Sequence, residues 1–165
     1  MKWGNDKLRI KNFLASFLII FFAINFSAVS AQQARWNNAE DVDKFPAEVL
    51  RLVNVERAKV GALPLKLAKD LSASAYVRAR ELPYKFSHTR PNGSKCFTAM
   101  PQIGHMLGEN LAGGQKTPKD VVQAWMDSKT HRDNMLNKTF TELGVAYYYQ
   151  ANSKYKHYWV QHFRG

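Results

Sequence analysis

Two histidines and one glutamate are the residues best able to do chemistry in this chain. His88, Glu109 and His131 lie 21 and 22 residues apart, each at the end of an expected element. Imidazole nitrogens and a carboxylate oxygen can hold a divalent cation and leave one position open for water. The same groups also suit a polar cluster lining a cleft, and spacing alone does not bring them together. His131 follows a tight break between two helices, Ser128-Lys129-Thr130. Thr130 is the expected cap of the second helix, with Asp133 three residues on. That puts His131 at the first helical position, where the positive helix end disfavours imidazolium and leaves a ring lone pair free. Glu109 stands in Gly108-Glu109-Asn110-Leu111-Ala112, among small and apolar neighbours. Desolvation there raises a carboxyl pKa unless a cation or metal sits nearby. A surface glutamate in a loop is the plainer reading.

The elements that must position these groups follow from periodicity. Val49, Leu50, Leu52, Val53, Val55 and Ala58 suit a mostly buried helix over 47–60, stopped by Gly61. A second helix is expected over 66–82, with Leu67, Leu71, Ala75 and Ala79 in one stripe and Pro83 beyond its end. His88 then precedes a turn at Pro91-Asn92-Gly93. Thr117-Pro118-Lys119-Asp120 starts a third helix, with Val121, Val122, Ala124 and Trp125 as its buried face. Alternation over 143–149 and 155–163 marks a C-terminal antiparallel hairpin. Helices precede strands, which favours an α+β layered fold.

Residues 1–31 read as a secretory signal. Lys2, Lys7, Arg9 and Lys11 lead an apolar run from Phe13 to Ala28, and Val29-Ser30-Ala31 supplies small residues for cleavage. An uncleaved membrane anchor is the alternative. Residues 32–45 form a polar linker. Cleavage removes four basic and one acidic residue from 24 and 13, leaving 20 and 12, a net charge of +8. Such a chain is drawn to anionic surfaces such as cell-wall polymers or phospholipid headgroups. No run of five like charges exists, so no nucleic-acid-binding arm is expected. The single cysteine, Cys96, excludes an internal disulfide and suits a small, half-buried position.

Several motifs in order resemble the CAP superfamily of cysteine-rich secretory, antigen 5 and pathogenesis-related 1 proteins, whose module is also called the SCP domain. They are Phe86-Ser87-His88-Thr89-Arg90-Pro91-Asn92-Gly93-Ser94, then Gly108-Glu109-Asn110-Leu111-Ala112, then Ala124-Trp125 with His131-Arg132-Asp133-Asn134-Met135-Leu136. Leu143-Gly144-Val145-Ala146 and Tyr158-Trp159-Val160-Gln161 also fit. The match covers 46–165 and is similar to the bacterial, disulfide-free branch.

The resemblance implies an α-β-α sandwich with a central antiparallel sheet between helical layers. It implies a cleft with two histidines, here His88 and His131, and a glutamate, here Glu109. The family's second glutamate corresponds to Ser128, a poor metal ligand. Asp127 beside it points roughly 100° away around the helix. One zinc or other divalent cation would be held by His88 and His131, with Glu109 as a third ligand or an orienting acceptor and Asn110 as a supporting donor. The expectation is a secreted, monomeric binding module of undefined activity rather than an enzyme, with a small apolar or lipid ligand or a cell-envelope polymer as partner. The rival is a metal-dependent hydrolase or peptidase with Glu109 as general base on a metal-bound water. The chain lacks both a zinc-protease helix motif and a Gly-x-Ser-x-Gly turn.

Overall fold

Strand β4, His157–Arg164, is buried along nearly its whole length, and the fold follows from covering both its faces. The computed structural model describes residues 44–101 and 106–165. The expected signal segment and nearly all of the linker lie outside them. Around β4 stand α1 (Phe45–Lys59), β1 (Lys66–Leu67), α2 (Lys69–Glu81), a short 3-10 helix (Cys96–Ala99), β2 (Leu107–Gly113), α3 (Pro118–Asp127), α4 (Lys129–Leu136) and β3 (Glu142–Tyr149). The sheet order is β1-β3-β4-β2. The three long strands pair antiparallel, and β1 adds a two-residue parallel edge to β3. No helix among the described residues is long and apolar enough to cross a membrane.

One sheet face carries α2. Ala75, Ala79 and Leu82 pack against Leu111, Ala146, Tyr158 and Val160. The small residues let helix and sheet approach closely, and Gly144 marks the tightest point. A Cβ built there would lie 2.2 Å from the Leu71 carbonyl carbon. The other face carries α1, α3 and α4. The Phe45 ring stacks on Trp159 with centroids 5.2 Å apart. Trp125 Nε1 donates to Leu111 O at 3.1 Å, so this large indole is buried with its donor satisfied. The result is an α+β sandwich of helix, sheet and helix layers.

Local chemistry explains the ends of the elements. Thr117 caps α3 as expected: its hydroxyl oxygen accepts from Asp120 N at 3.2 Å and its proton goes to Asp120 Oδ2 at 2.7 Å. Buried Arg57 ties α1 to the far side of the fold. Its guanidinium donates to the carbonyls of Leu63, Met135 and Asn137 at 2.8 Å and of Phe140 at 3.1 Å. It thus satisfies the last carbonyls of α4 and the turn into β3.

Three expectations need correction. The second helix starts at Lys69 rather than Lys66, because Lys66 and Leu67 pair with Glu142 and Leu143. The last helix is not capped by Thr130. It starts at Lys129 with Ser128 as the cap residue, and Thr130 is exposed. Leu67, expected in the buried stripe of the second helix, lies in β1 instead and is 41% exposed.

Candidate functional site

Glu109 is the centre of a buried charge cluster on the α2 side of the sheet. Its strand register places it opposite His162 of β4. Its Oε2 accepts from Arg78 Nε at 2.9 Å and from His162 Nε2 at 3.1 Å. Its Oε1 lies 2.8 Å from His88 Nδ1 and 3.3 Å from Arg78 Nη2. Glu109 is 5% exposed, and Arg78 and His162 are fully buried. Burial pushes the Glu109 carboxyl up, but hydrogen bonds from His162, His88 and Arg78 outweigh it and hold the group well below the usual carboxylate range. Here the cation that the sequence reading required is Arg78.

The cluster extends into α2. Burial works against the Arg78 charge, and the carboxylates of Glu109 and Glu81 more than offset it. Arg78 Nη1 reaches Glu81 at 2.6 Å, and Glu81 in turn binds Arg90 Nη2 at 2.7 Å. Arg78 Nη2 also donates to Ser87 O, which fixes the residue before His88. Behind His162, its Nδ1 lies 2.8 Å from Ser74 Oγ. Burial, first of all, keeps His162 neutral by lowering its pKa. Neutral His162 donates its Nε2 proton to Glu109, while its Nδ1 and the Leu71 carbonyl, 2.9 Å from Ser74 Oγ, compete for the single Ser74 hydroxyl proton. Ser74, His162 and Glu109 thus form a chain of hydroxyl, imidazole and carboxylate, but every member is buried, so it positions rather than reacts.

His88 is the exposed end of this chain, with its side chain 59% accessible. It opens on a cleft of about 500 Å³ lined by His88, Cys96, Phe97, Leu107, Glu109 and Asn134, among others. With Nδ1 on Glu109, Nε2 is the nitrogen left to meet a ligand. The backbone folds Cys96 against it: Cys96 N donates to His88 O at 2.8 Å, and Thr89 bridges Lys95. One ligand atom each from His88, Cys96 and Glu109 lie within 4.8 Å of one another. Burial first, then the Glu109 charge, push the Cys96 thiol up to about 11.

His131 and Ser128 stand outside that group of three. His131 is the third residue of α4 rather than the first. Burial, then the charge of His88, lower its pKa, which keeps it neutral as expected though for a different reason. Asn110 is the residue expected as a supporting donor. It points to the opposite sheet face from Glu109, donates to His131 O at 3.0 Å and accepts from Asn134 Nδ2 at 2.8 Å. Ser128 Oγ lies 3.5 Å from Thr130 Oγ1. Asp127 accepts from Gln123 Nε2 at 2.8 Å on an exposed surface. Arg78, His162 and Ser74 were not foreseen. The available signal was Arg78 itself, a charge inside the buried stripe of Leu71, Ala75 and Ala79.

Residues 50–163 match the family model of the cysteine-rich secretory protein family, CAP. The chain belongs to the CAP family. The uncharacterized protein YkwD of Bacillus subtilis is 39% identical over 129 residues, covering 75% of this chain and 48% of its own length. The membrane protein YlbC of Bacillus subtilis, also uncharacterized, is 28% identical over 114 residues, covering 64% and 33%. This CAP chain therefore spans half or less of the curated relatives it matches. An extracellular protein containing a SCP domain from Bacillus anthracis shares the fold with a TM-score of 0.66 at 21% identity, covering 78% of this chain and 44% of that one. An outer surface protein from Borrelia burgdorferi does so with a TM-score of 0.60 at 22% identity, covering 76% and 92%. The single, unpaired Cys96 fits a disulfide-free branch of the CAP family.

Proposed function

We propose that this CAP chain is a secreted, monomeric binding module whose cleft takes a divalent cation at His88. One observation carries the reading: the 2.8 Å pairing of His88 Nδ1 with buried Glu109 Oε1. A carboxylate on one ring nitrogen fixes the tautomer and raises the basicity of the other, which is how metal-binding histidines are prepared. Nitrogen, sulfur and oxygen donors gathered at His88, Cys96 and Glu109 suit a zinc-class ion. His131 and Glu109 are the further contributors that the family resemblance implies. When bound, the ion would supply Lewis acidity in the cleft. The chain's own residues orient His88 through Glu109, and hold Glu109 through Arg78 and His162. The basic, apolar and small-residue pattern of residues 1–31 supports secretion, and the two structural neighbours described as extracellular and outer-surface proteins agree with it.

The same network bears on the hydrolase alternative. A carboxylate held far below its usual range and occupied by Arg78, His162 and His88 is a weak proton acceptor. Glu109 therefore serves this reading as a positioning group and not as a base. Calorimetric zinc titration of the wild type and of a His88→Ala/His131→Ala double variant tests the proposal. Binding in the first and loss of it in the second is expected. Absent binding in the wild type, or equal binding in both, overturns it.

A further inference from the structure

The cleft holds one feature that the family resemblance does not supply, the thiol of Cys96. We propose that Cys96 is a ligand of the cleft's cation, joining His88 and Glu109 in a mixed nitrogen, sulfur and oxygen site that selects a thiolate-seeking divalent ion of the zinc class. This rests on the reading that a cation enters at His88, and it adds the identity of a further ligand.

The geometry is built into the backbone. Seven residues separate His88 from Cys96, and the loop between them folds back on itself. Arg90 N donates to Ser94 O at 2.8 Å, Thr89 bridges Lys95, and Cys96 N donates to His88 O at 2.8 Å. These contacts bring residues 88 and 96 side by side, and β2 brings Glu109 beneath them. The donor atoms then fall within 4.8 Å of one another. Among the described residues this is the group of three histidine, cysteine or carboxylate donors that meets such a limit. Cys96 is 4% exposed and belongs to the cleft wall, so it is shielded from bulk solvent. Loading requires two changes. The Sγ–H bond breaks and its proton passes to solvent, leaving a thiolate on the metal. On loading, the His88 ring also exchanges its hydrogen bond to Glu109 Oε1 for the shared ion, so the pairing that fixes its tautomer belongs to the metal-free state. A tetrahedral edge between nitrogen and oxygen ligands is about 3.4 Å, longer than a hydrogen bond. The exposed His88 side chain is free to make that movement. A thiolate in the set shifts preference toward zinc-class ions and away from magnesium and calcium.

The test uses cobalt(II) as a spectroscopic stand-in for zinc, on the full chain kept reduced with a phosphine. A cobalt–thiolate bond gives an intense near-ultraviolet charge-transfer band that nitrogen and oxygen ligands do not. Cys96 is the single cysteine, so a band from one metal per one chain assigns it without any variant. The expected result is that band in the wild type, removed by excess zinc and absent in Cys96→Ser and Cys96→Ala. At least tenfold weaker cobalt binding in whichever variant keeps the wild-type circular dichroism completes it. Cobalt binding without the band, unchanged in the variants, overturns the role of Cys96 and leaves a cation at His88 standing. One metal shared by two chains in native mass spectrometry also overturns the intrachain site. No cobalt or zinc bound to the wild type overturns this inference and the cation reading together.

Discussion

Glu109 faces His162 across the β2–β4 ladder, with His162 Nε2 3.1 Å from Glu109 Oε2. That single register contact, reinforced by Arg78, turns a mid-strand glutamate into a fixed anion beneath the exposed ring of His88.

The buried pair of Arg78 and Glu109 makes the first prediction. Glu109→Gln keeps the shape and removes the charge, leaving a fully buried guanidinium with only Glu81 as counter-ion. Breaking a buried pair by changing one partner costs about 3–5 kcal/mol. Urea unfolding should show a loss in that range, reduced to the extent that Glu81 compensates. A change under about 0.5 kcal/mol, the usual size for a surface substitution, would contradict the burial described here.

Stability of the metal-free protein should fall on acidification in two stages. Burial lowers the His162 pKa below its ordinary 6.5, so the unfolded chain binds that proton first. The contribution is complete above 6.5 and erodes as pH falls below it. His131 and His157 are lowered in the same direction. Glu109 and Glu81 are lowered below 4.5, so their contributions are present above that value and lost as pH falls through their folded values. Thermal melts from neutral to acid pH should decline gently below 6.5 and steeply below 4.5. His162→Gln should flatten part of the upper slope, and an unaltered profile would count against a neutral buried His162.

Gly144 tests the α2–sheet packing. A methyl group at this position meets the backbone of Leu71 and Ser72, which cannot move aside as a side-chain tip can. Gly144→Ala should therefore destabilise by about 1–3 kcal/mol or more through overpacking. A neutral result by differential scanning calorimetry would mean that helix and sheet are farther apart than described.

Arg57 tests the other face. Arg57→Met retains the stem but strands the buried carbonyls of Met135 and Phe140 and releases the half-buried ones of Leu63 and Asn137. Each buried acceptor left unpaired costs about 1–3 kcal/mol. The expected loss is several kcal/mol, with faster hydrogen exchange at the end of α4. Unchanged exchange there would show that Arg57 is not its tie.

Residues whose meaning is local were legible in the sequence. Of the stripe Leu67, Leu71, Ala75 and Ala79, the last three are wholly buried and Leu67 is not, and Thr117 caps α3. Pairing of Leu143 to Tyr149 with the C-terminal strand also followed from alternation. Residues whose meaning depends on register were not. Gly108-Glu109-Asn110-Leu111-Ala112-Gly113 contains no β-branched or aromatic residue, and becomes a strand because β4 beside it is covered on both faces. His162 gained its role only when Glu109 fell opposite it. Thr130 and Ser128 are both competent caps, and the chain breaks two residues earlier than Thr130 would require. Cys96 looked isolated between Lys95 and Phe97, because the groups that face it are eight and thirteen residues away.

The most direct test is the metal content of the mature protein, purified without chelator or histidine tag and weighed by native mass spectrometry in micromolar zinc. One zinc per chain, absent from His88→Ala, is the expected result. A metal-free wild type, or a His88→Ala variant that keeps its zinc, would contradict the proposal that the His88–Glu109 pair prepares a cation site.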